Sequence, residues 1–504
     1  MHKKSILKGA AILTAANLIT RLMGFFYRIN MSEAIGAEGM GLYQLVMPIY
    51  LLSWSITSSG FSTTISRLSA SENAWGNSCN IKKVVRISVF LCLIISMITA
   101  LFMFFGADFL ANEIIQDSRT AIALKILAFA IPFMAVGSCI RGYFLGMQHQ
   151  GVPAISQVLE QTVRILSIFV LGQGVIGKGL EYACAAAVVG VLLGEAVSCI
   201  FTIISYRGFS KFQNSFNPTY GNLNCMKMIL SMAIPLSLTR ISSSLLATVE
   251  NILIPQKLQA FGETETIAMS IYGNLTGMAI PLIQLPSAIL FAVATALMPT
   301  ITELSTVGNK KKISETVSLT IMFTSIAGIG ISCLFAVFPH EITSLVYNRY
   351  ELGDLLFKLV PACPFLYMQI VFWGILNGLG EHMFIFKNNI IASVINIFFI
   401  FYFVPKYGSD AYIAGWCISL IVTVLLSTHK IVKRIQTRIR FITWILKPAI
   451  SAVLAGIAAR ALLFYLSPSR LIYLLTLIFM FLMYLIFLIM TGAIKKSDFK
   501  IFKI

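Results

Sequence analysis

Fourteen stretches of mainly apolar residues, each near twenty residues or longer, follow one another along this chain up to residue 492. A hydrocarbon core ~30 Å thick takes roughly 20 helical residues to cross, so each stretch reads as a membrane-spanning helix. The connections are short. The longest, near 68–83 and 206–224, leave no room for a soluble domain. Composition agrees: 58% of the 504 residues are hydrophobic and 12% charged, against roughly 25% charged in soluble domains. The expected fold is an all-α polytopic membrane protein of about 14 transmembrane helices.

A net charge of +18 has the size of a nucleic-acid binder's, but its distribution argues otherwise. Lys3, Lys4, Lys82, Lys83, Lys310, Lys311, Lys312 and the cluster Lys430, Lys433, Arg434, Arg438, Arg440 gather at one set of helix ends. Asp108, Glu113, Asp117, Glu263, Glu265, Glu341, Glu351 and Asp354 gather at the other. By the positive-inside rule this places both termini in the cytoplasm of a multi-pass cell-membrane protein. The charge then encodes topology, and no nucleic-acid partner is expected.

The first segment is too long for a signal-peptide core and lacks a small-x-small site, so it reads as retained. The nine cysteines stand singly, with no CxxC pair, and read as reduced packing residues. The five histidines show no ligand spacing. No metal and no cofactor is expected beyond a coupling ion or the membrane potential.

The chain repeats itself. "IPFMAVGSCIRGYFLGMQ" (131–148) aligns without a gap to "CPFLYMQIVFWGILNGLG" (363–380), pairing Pro132, Gly142 and Gly146 with Pro364, Gly374 and Gly378. The same offset pairs Gln157 with Asn389 and Arg164 with Asn396. Thr20-Arg21 is echoed by Thr239-Arg240. "ISRLSA" followed by Gly76-Asn77 is echoed by "ITELST" followed by Gly308-Asn309. Each repeat holds six helices, an even number, so both start on the same side. Two six-helix lobes then follow, related by a pseudo-two-fold along the membrane normal, with a substrate site expected at their interface. The expected divisions are 1–210, 211–435, and 436–504 for the last two helices and tail.

One motif is a decoy. "GQGVIGKG" (172–179) contains G-x-G-x-x-G, but Gly179 stands where a phosphate-binding loop needs Ser or Thr, and no strand precedes it. It reads as a turn.

The residues that carry chemistry lie within the helices. At 100° per residue, Asn17, Arg21, Gly24 and Arg28 share one face of the first helix. A central arginine costs about 2.5–3.5 kcal/mol on insertion scales, so it normally faces a cavity or a partner. In the seventh helix, Ser237, Arg240, Ser244 and Asn251 form a similar stripe. The second offers Ser55, Ser59, Ser62 and Ser66, then Arg67; serine stripes also serve plain helix packing. Glu160 and Arg164 form an i,i+4 pair that reads as structural or gating. Glu195 and Glu250 are the other intramembrane acids, and Glu250 could hold a coupling cation or pair with an arginine. Arg21, Arg28, Arg67, Arg141, Arg164 and Arg240 outnumber these acids, which favours an anionic substrate; arginine grips phosphate bidentately and stays charged. Pro48, Pro235, Pro281 and Pro286 interrupt helices two, seven and eight. Acids and histidines do not cluster at one face, so no catalytic residue is expected.

"TRLMGFFYRINMSEAIGAEGMGLYQLVMPIY", "GFSTTISRLSA" and "GYFLGMQHQGVPAISQVLEQTVRI" resemble the stage V sporulation protein B group of polysaccharide-biosynthesis flippases. These belong to the multidrug/oligosaccharidyl-lipid/polysaccharide exporter superfamily. The resemblance covers essentially the whole chain. It implies two six-helix lobes plus a final pair. By similarity to lipid II flippases it also implies transfer of a polyprenyl-diphosphate-linked glycan across the bilayer for spore-cortex synthesis. In the resemblance, Arg21, Arg28, Arg240 and Arg67 line the cavity. The binding set is then these four with Asn17 and Asn251; the gating or ion-coupling set is Glu160, Arg164, Glu250, Asn389 and Asn396. Cell-wall synthesis proteins are candidate partners. The family pattern often has a proline two residues after a glycine where this chain has Gly60-Phe61-Ser62, which puts a local kink in question. The rival readings are a cation-coupled multidrug exporter, which would need essential buried acids, and a non-transporting scaffold, which would tolerate loss of Arg21 and Arg240.

Overall fold

The computed structural model describes residues 2–175, 179–210, 221–435, 441–466 and 469–493. Most of the turn 172–179, Arg438 and Arg440, and the tail from 494 lie outside the described residues or their described side chains. Every regular element among the described residues is helical.

Among the described residues, fourteen helices are long and apolar enough to cross a membrane. The total matches the sequence expectation, through two offsetting details. Ile12–Ala74 is one 63-residue run, about 95 Å at 1.5 Å per residue and far too long for one ~30 Å crossing. It bends at Gly36, whose φ of 71° and ψ of -174° are open to glycine but strained for other residues. Conversely, the expected eighth helix is divided into Glu265–Gln284 and Ser287–Thr306 by the break before Ser287. Pro286 stands at that break as N-cap.

The packing forms two compact units, Met1–Met278 and Ala279–Ile504. In the first, α1 (His2–Thr57), α2 (Ser59–Ala74), α3 (Ser78–Phe105), α4 (Ala121–Gly146), α5 (Gly151–Val175), α6 (Leu180–Ser210), α7 (Asn222–Phe261) and α8 (Glu265–Tyr272) follow in order. Their apolar centre includes Phe61, Ile65, Val84, Cys92, Ala135, Phe144 and Ile229, drawn from α2, α3, α4 and α7. The second holds α9 (Ser287–Thr306), α10 (Lys310–Val337), α11 (Cys363–Gly378), α12 (His382–Tyr402), α13 (Ser409–Ile435), α14 (Lys447–Phe464) and α15 (Arg470–Met490). There α14 and α15 pack on α10: Cys333 donates its thiol to the Ala452 carbonyl at 3.2 Å, and Tyr484 donates its hydroxyl to that of Ile326 at 2.8 Å.

The repeat is visible in three dimensions. Left-handed backbone recurs 232 residues on: Gly76 (φ 74°) and Gly308 (73°), Gln116 (64°) and Asn348 (55°), Gln148 (60°) and Gly380 (77°). Helices α3 and α10 begin and end at the same spacing. So do the close contacts. Gly142 and Gly146 of α4 lie against the carbonyls of Ser62 and Ser66 in α2; Gly374 and Gly378 of α11 lie against those of Ala294 and Met298 in α9. In all four places a Cβ would strike backbone, so glycine lets the helices approach. This corrects the pairing of "ISRLSA" with "ITELST": by these contacts Met298 is the repeat equivalent of Ser66, one helical turn from where those letters align.

The helix also breaks near Gly60 without the family's proline. Ser58 leaves helical geometry (φ -130°, ψ -20°) between α1 and α2. The Cys92 thiol donates to the Thr57 carbonyl at 3.0 Å, occupying an oxygen at the interruption.

Candidate functional site

On α1, Ile12, Ile19, Leu22 and Phe26 are exposed and share one face, as a lipid-facing stripe should. Asn17, Arg21, Gly24 and Arg28 centre about 180° away. This second face is not packed shut. Arg21 is exposed, Asn17 and Arg28 are half-buried, and a Cβ at Gly24 would meet nothing within 4 Å. Between the two faces Tyr27 is buried and donates to the Ala187 carbonyl of α6 at 3.2 Å. The helix is held along one side and open on two others.

Arg240 on α7 is exposed, with its guanidinium 5.6 Å from the centre of the Trp54 ring, within cation–π range. The rest of its stripe anchors α7. Ser244 and Ser55 hydroxyls pair at 2.5 Å, Ser237 closes on Gly60, and Thr248 donates to the Pro48 carbonyl at 3.1 Å. Asn251 accepts from the Tyr272 hydroxyl at 2.8 Å and donates to the Ala247 carbonyl at 2.8 Å. It is therefore engaged with α8 and its own helix. Ser59 donates to the Ser55 carbonyl at 2.8 Å, and the backbone at Ser62 and Ser66 lies against Gly142 and Gly146 of α4, so the serine stripe lies along helix–helix contacts. Arg67 is exposed midway along α2, not at its end.

The i,i+4 pair belongs to a larger cluster. Arg164 meets Glu160 at 2.6 Å and Glu195 of α6 at 3.4 Å, with all three side chains at least 87% buried (relative exposures 13%, 13% and 7%). Tyr50 of α1 donates its hydroxyl to Glu195 at 3.1 Å. Beside them Arg141 donates to the Ser198 hydroxyl at 3.0 Å. Arg164 is thus held in a buried ion-pair cluster and Arg141 on Ser198; Arg21, Arg28, Arg67 and Arg240 lie outside that cluster and are the candidate anion ligands. Glu250 is half-buried on α7. In the second unit Asn389 and Asn396 are half-buried on α12; it is Asn388 that donates to the Thr423 carbonyl and the Ser427 hydroxyl, each at 3.1 Å. At the repeat spacing, Asn396 and Ser427 stand where the first unit has Arg164 and Glu195, so the charge cluster is not repeated.

Sequence reasoning missed one network. Arg119, in the turn before α4, meets Glu38 at 2.6 Å, Asp117 at 2.7 Å and Glu265 at 3.1 Å. The signal was present: Arg119 stands two residues from Asp117 at the set of helix ends where the acids gather. Trp54 and Tyr272, the supports of Arg240 and Asn251, had no such signal, being aromatics among many in apolar helices.

Comparison with known proteins decides the family. Residues 6–305 match the family described as polysaccharide biosynthesis protein. The chain belongs to that family. Within this polysaccharide biosynthesis family, it is 29% identical to stage V sporulation protein B of Bacillus subtilis (strain 168) over 478 residues, covering 93% of this chain and 91% of that one. It is 27% identical to the lipid II flippase MurJ of the same organism over 418 residues, covering 78% and 76%. A solved structure, lipid II flippase MurJ in an inward closed conformation, superposes with a TM-score of 0.73 at 14% identity over 95% of this chain and 98% of that one. An inward-facing multidrug resistance MATE family transporter gives 0.64 at 16%, over 85% and 98%. The fold is that of these transporters, and residues 274–402 separately match the family described as MatE. This polysaccharide biosynthesis family member is a multi-pass membrane flippase or transporter, and the relatives named for an activity are transporters and flippases.

Proposed function

We propose that this protein moves a lipid-linked anionic glycan precursor, of the lipid II type used for spore cortex, from the inner to the outer leaflet by alternating access. The observation that carries the reading is that α1 is open on two opposite faces. One is hydrocarbon; the other bears Arg21, Arg28 and Asn17 beside open space at Gly24. Hydrocarbon around those guanidiniums would be costly, whereas a diphosphate suits them: it is anionic, planar-fork recognition applies, and arginine never loses its charge.

In this reading Arg21, Arg28, Arg67 and Arg240 hold the diphosphate and acidic head group. Asn17 adds a neutral donor, and Asn251 acts through Tyr272. Glu160 and Arg164, with Glu195, form a gating element whose pairing changes as the cavity opens; Glu250, Asn389 and Asn396 complete the gating or coupling set. Arg119 latches the end that the charge pattern assigns to the outside, with both termini cytoplasmic. The substrate crosses without a bond made or broken, so no catalytic group is called for, and cell-wall synthesis proteins receive the product.

The MatE match over 274–402 favours a second reading, a cation-coupled multidrug exporter. Four arginines against Glu250 weigh against a cationic cargo. The test uses the purified full chain in vesicles carrying labelled lipid II on one leaflet, and asks whether label becomes accessible on the other. Wild type should transfer it, and Arg21→Ala and Arg240→Ala should each abolish transfer at normal protein levels. A fully active double variant overturns the reading.

A further inference from the structure

A second cationic site lies away from this cavity. At the start of α3, Lys82, Lys83 and Arg86 line a cavity of about 690 Å³, whose wall is completed by Phe90 of α3 and by Leu223 and Met226 in the first turns of α7. Cations that merely mark a cytoplasmic helix end need no cavity. These three share one, and its volume lies in the range of small-molecule sites.

The position of the cavity on α3 indicates what it faces. At 100° per residue, Lys83, Arg86, Phe90, Met97 and Leu101 fall within about 60° of one another. Phe90, Met97 and Leu101 are 62%, 47% and 51% exposed, part of an apolar stripe with Ile94 and Ile98. A stripe of that length and apolarity on a membrane-spanning helix faces acyl chains. The cationic cluster is the end of that stripe, so the cavity opens toward lipid. Trp75, 78% exposed just before this helix, suits the headgroup level, where tryptophan concentrates.

From this geometry we infer that the cavity of Lys82, Lys83 and Arg86 binds the headgroup phosphate of an anionic glycerophospholipid in the cytoplasmic leaflet, with an acyl chain lying along Phe90, Met97 and Leu101. Basic pockets between helices on this side are suited to such headgroups. The ammonium groups of Lys82 and Lys83, half-buried, fix the phosphate from one side. Arg86, exposed at the mouth, meets it with its planar fork. Leu223 and Met226 close the wall from α7, so an occupant bridges α3 and α7 and its effect on stability is measurable. The site does not depend on the flippase reading, and it stands or falls separately.

The test compares thermal unfolding of the full chain in detergent with added phosphatidylglycerol, phosphatidylcholine or inorganic phosphate, and counts phosphatidylglycerol retained per protein after washing. Phosphatidylglycerol alone should raise the midpoint and be retained. Lys82→Gln, Lys83→Gln and Arg86→Gln together should lower its affinity roughly a hundredfold, about fivefold per charge. Arg86→Lys, which keeps the charge but loses the fork, should weaken binding less than Arg86→Gln, and Phe90→Ser should weaken it while leaving the headgroup contacts. Lys310→Gln, Lys311→Gln and Lys312→Gln together, which remove as much charge elsewhere on the same side, should leave the selective shift intact. The inference is overturned if the first triple variant, folded as judged by its own melt, retains phosphatidylglycerol like wild type. It is equally overturned if the second triple variant loses the shift as fully, or if inorganic phosphate reproduces it.

Discussion

Gln44 donates its side-chain amide to the backbone carbonyl of Thr276 at 2.8 Å, and Thr276 stands 232 positions further on. That is the spacing of the internal repeat, so Gln44 touches its own counterpart. Only groups on a two-fold axis meet their own equivalents. The surrounding contacts are reciprocal in the same way: Gly41 lies against the carbonyl of Met269, and Gly273 against that of Ala37, with each pair related by the same offset. All of these residues belong to the first compact unit. An isologous contact therefore joins the second half of α1 to the segment around α8.

Because a Cβ at Gly273 would strike the Ala37 backbone, Gly273→Val should destabilise the protein by about 1–3 kcal/mol, the usual cost of overpacking. Thermal unfolding in detergent measures it. Gly24→Ala, which meets open space inside a helix, should not lower the midpoint and should raise it slightly.

Arg240 should depend on its aromatic support. Trp54→Ala removes a cation–π contact worth about 0.5–1 kcal/mol at an exposed site, so lipid II transfer should fall severalfold without the complete loss expected of Arg240→Ala. Trp54→Phe should restore part of the rate. Equal rates for wild type and Trp54→Ala would show that the ring does not position the guanidinium.

Arg164→Leu leaves Glu160 and Glu195 buried without their shared cation. Breaking a buried pair in this way costs about 3–5 kcal/mol. Replacing Arg164, Glu160 and Glu195 together by apolar residues of similar size should recover most of that stability, since no uncompensated charge remains. Transfer should stay low in the triple variant if the cluster gates; recovery of both stability and transfer would reduce it to a packing device.

Arg119 joins Glu38, Asp117 and Glu265. Arg119→Ala should free the start of α8, and a thiol introduced next to the ion pair by Thr266→Cys, at an exposed position, should then react faster with a membrane-impermeant reagent than it does with Arg119 present. The Glu265 side chain is 53% exposed, so the change should be a severalfold rate increase rather than all-or-none. An unchanged rate would show that Arg119 is not holding that end.

The sequence by itself determined the helices, the membrane and the repeat, because those signals are local. Hydropathy and helical period act over a few residues, and an ungapped offset survives wherever glycine is required for backbone contact, as at Gly142, Gly146, Gly374 and Gly378. They also set the two faces of α1, since 100° per residue puts Arg21 opposite Ile19 and Phe26 whatever surrounds the helix. Where no side chain constrains the register the letters misled, and "ISRLSA" slid one turn against "ITELST". Only the tertiary structure decided partners. Glu160 was legible as the mate of Arg164, four residues away, but Glu195 and Tyr50 joined them through the packing of α1, α5 and α6. Trp54 under Arg240, Tyr272 on Asn251 and the three carboxylates around Arg119 were fixed likewise. The physical reason is that a side-chain ion pair or hydrogen bond acts over about 3 Å, and which helices come that close is set by the packing of whole faces, at sequence separations that no local period records.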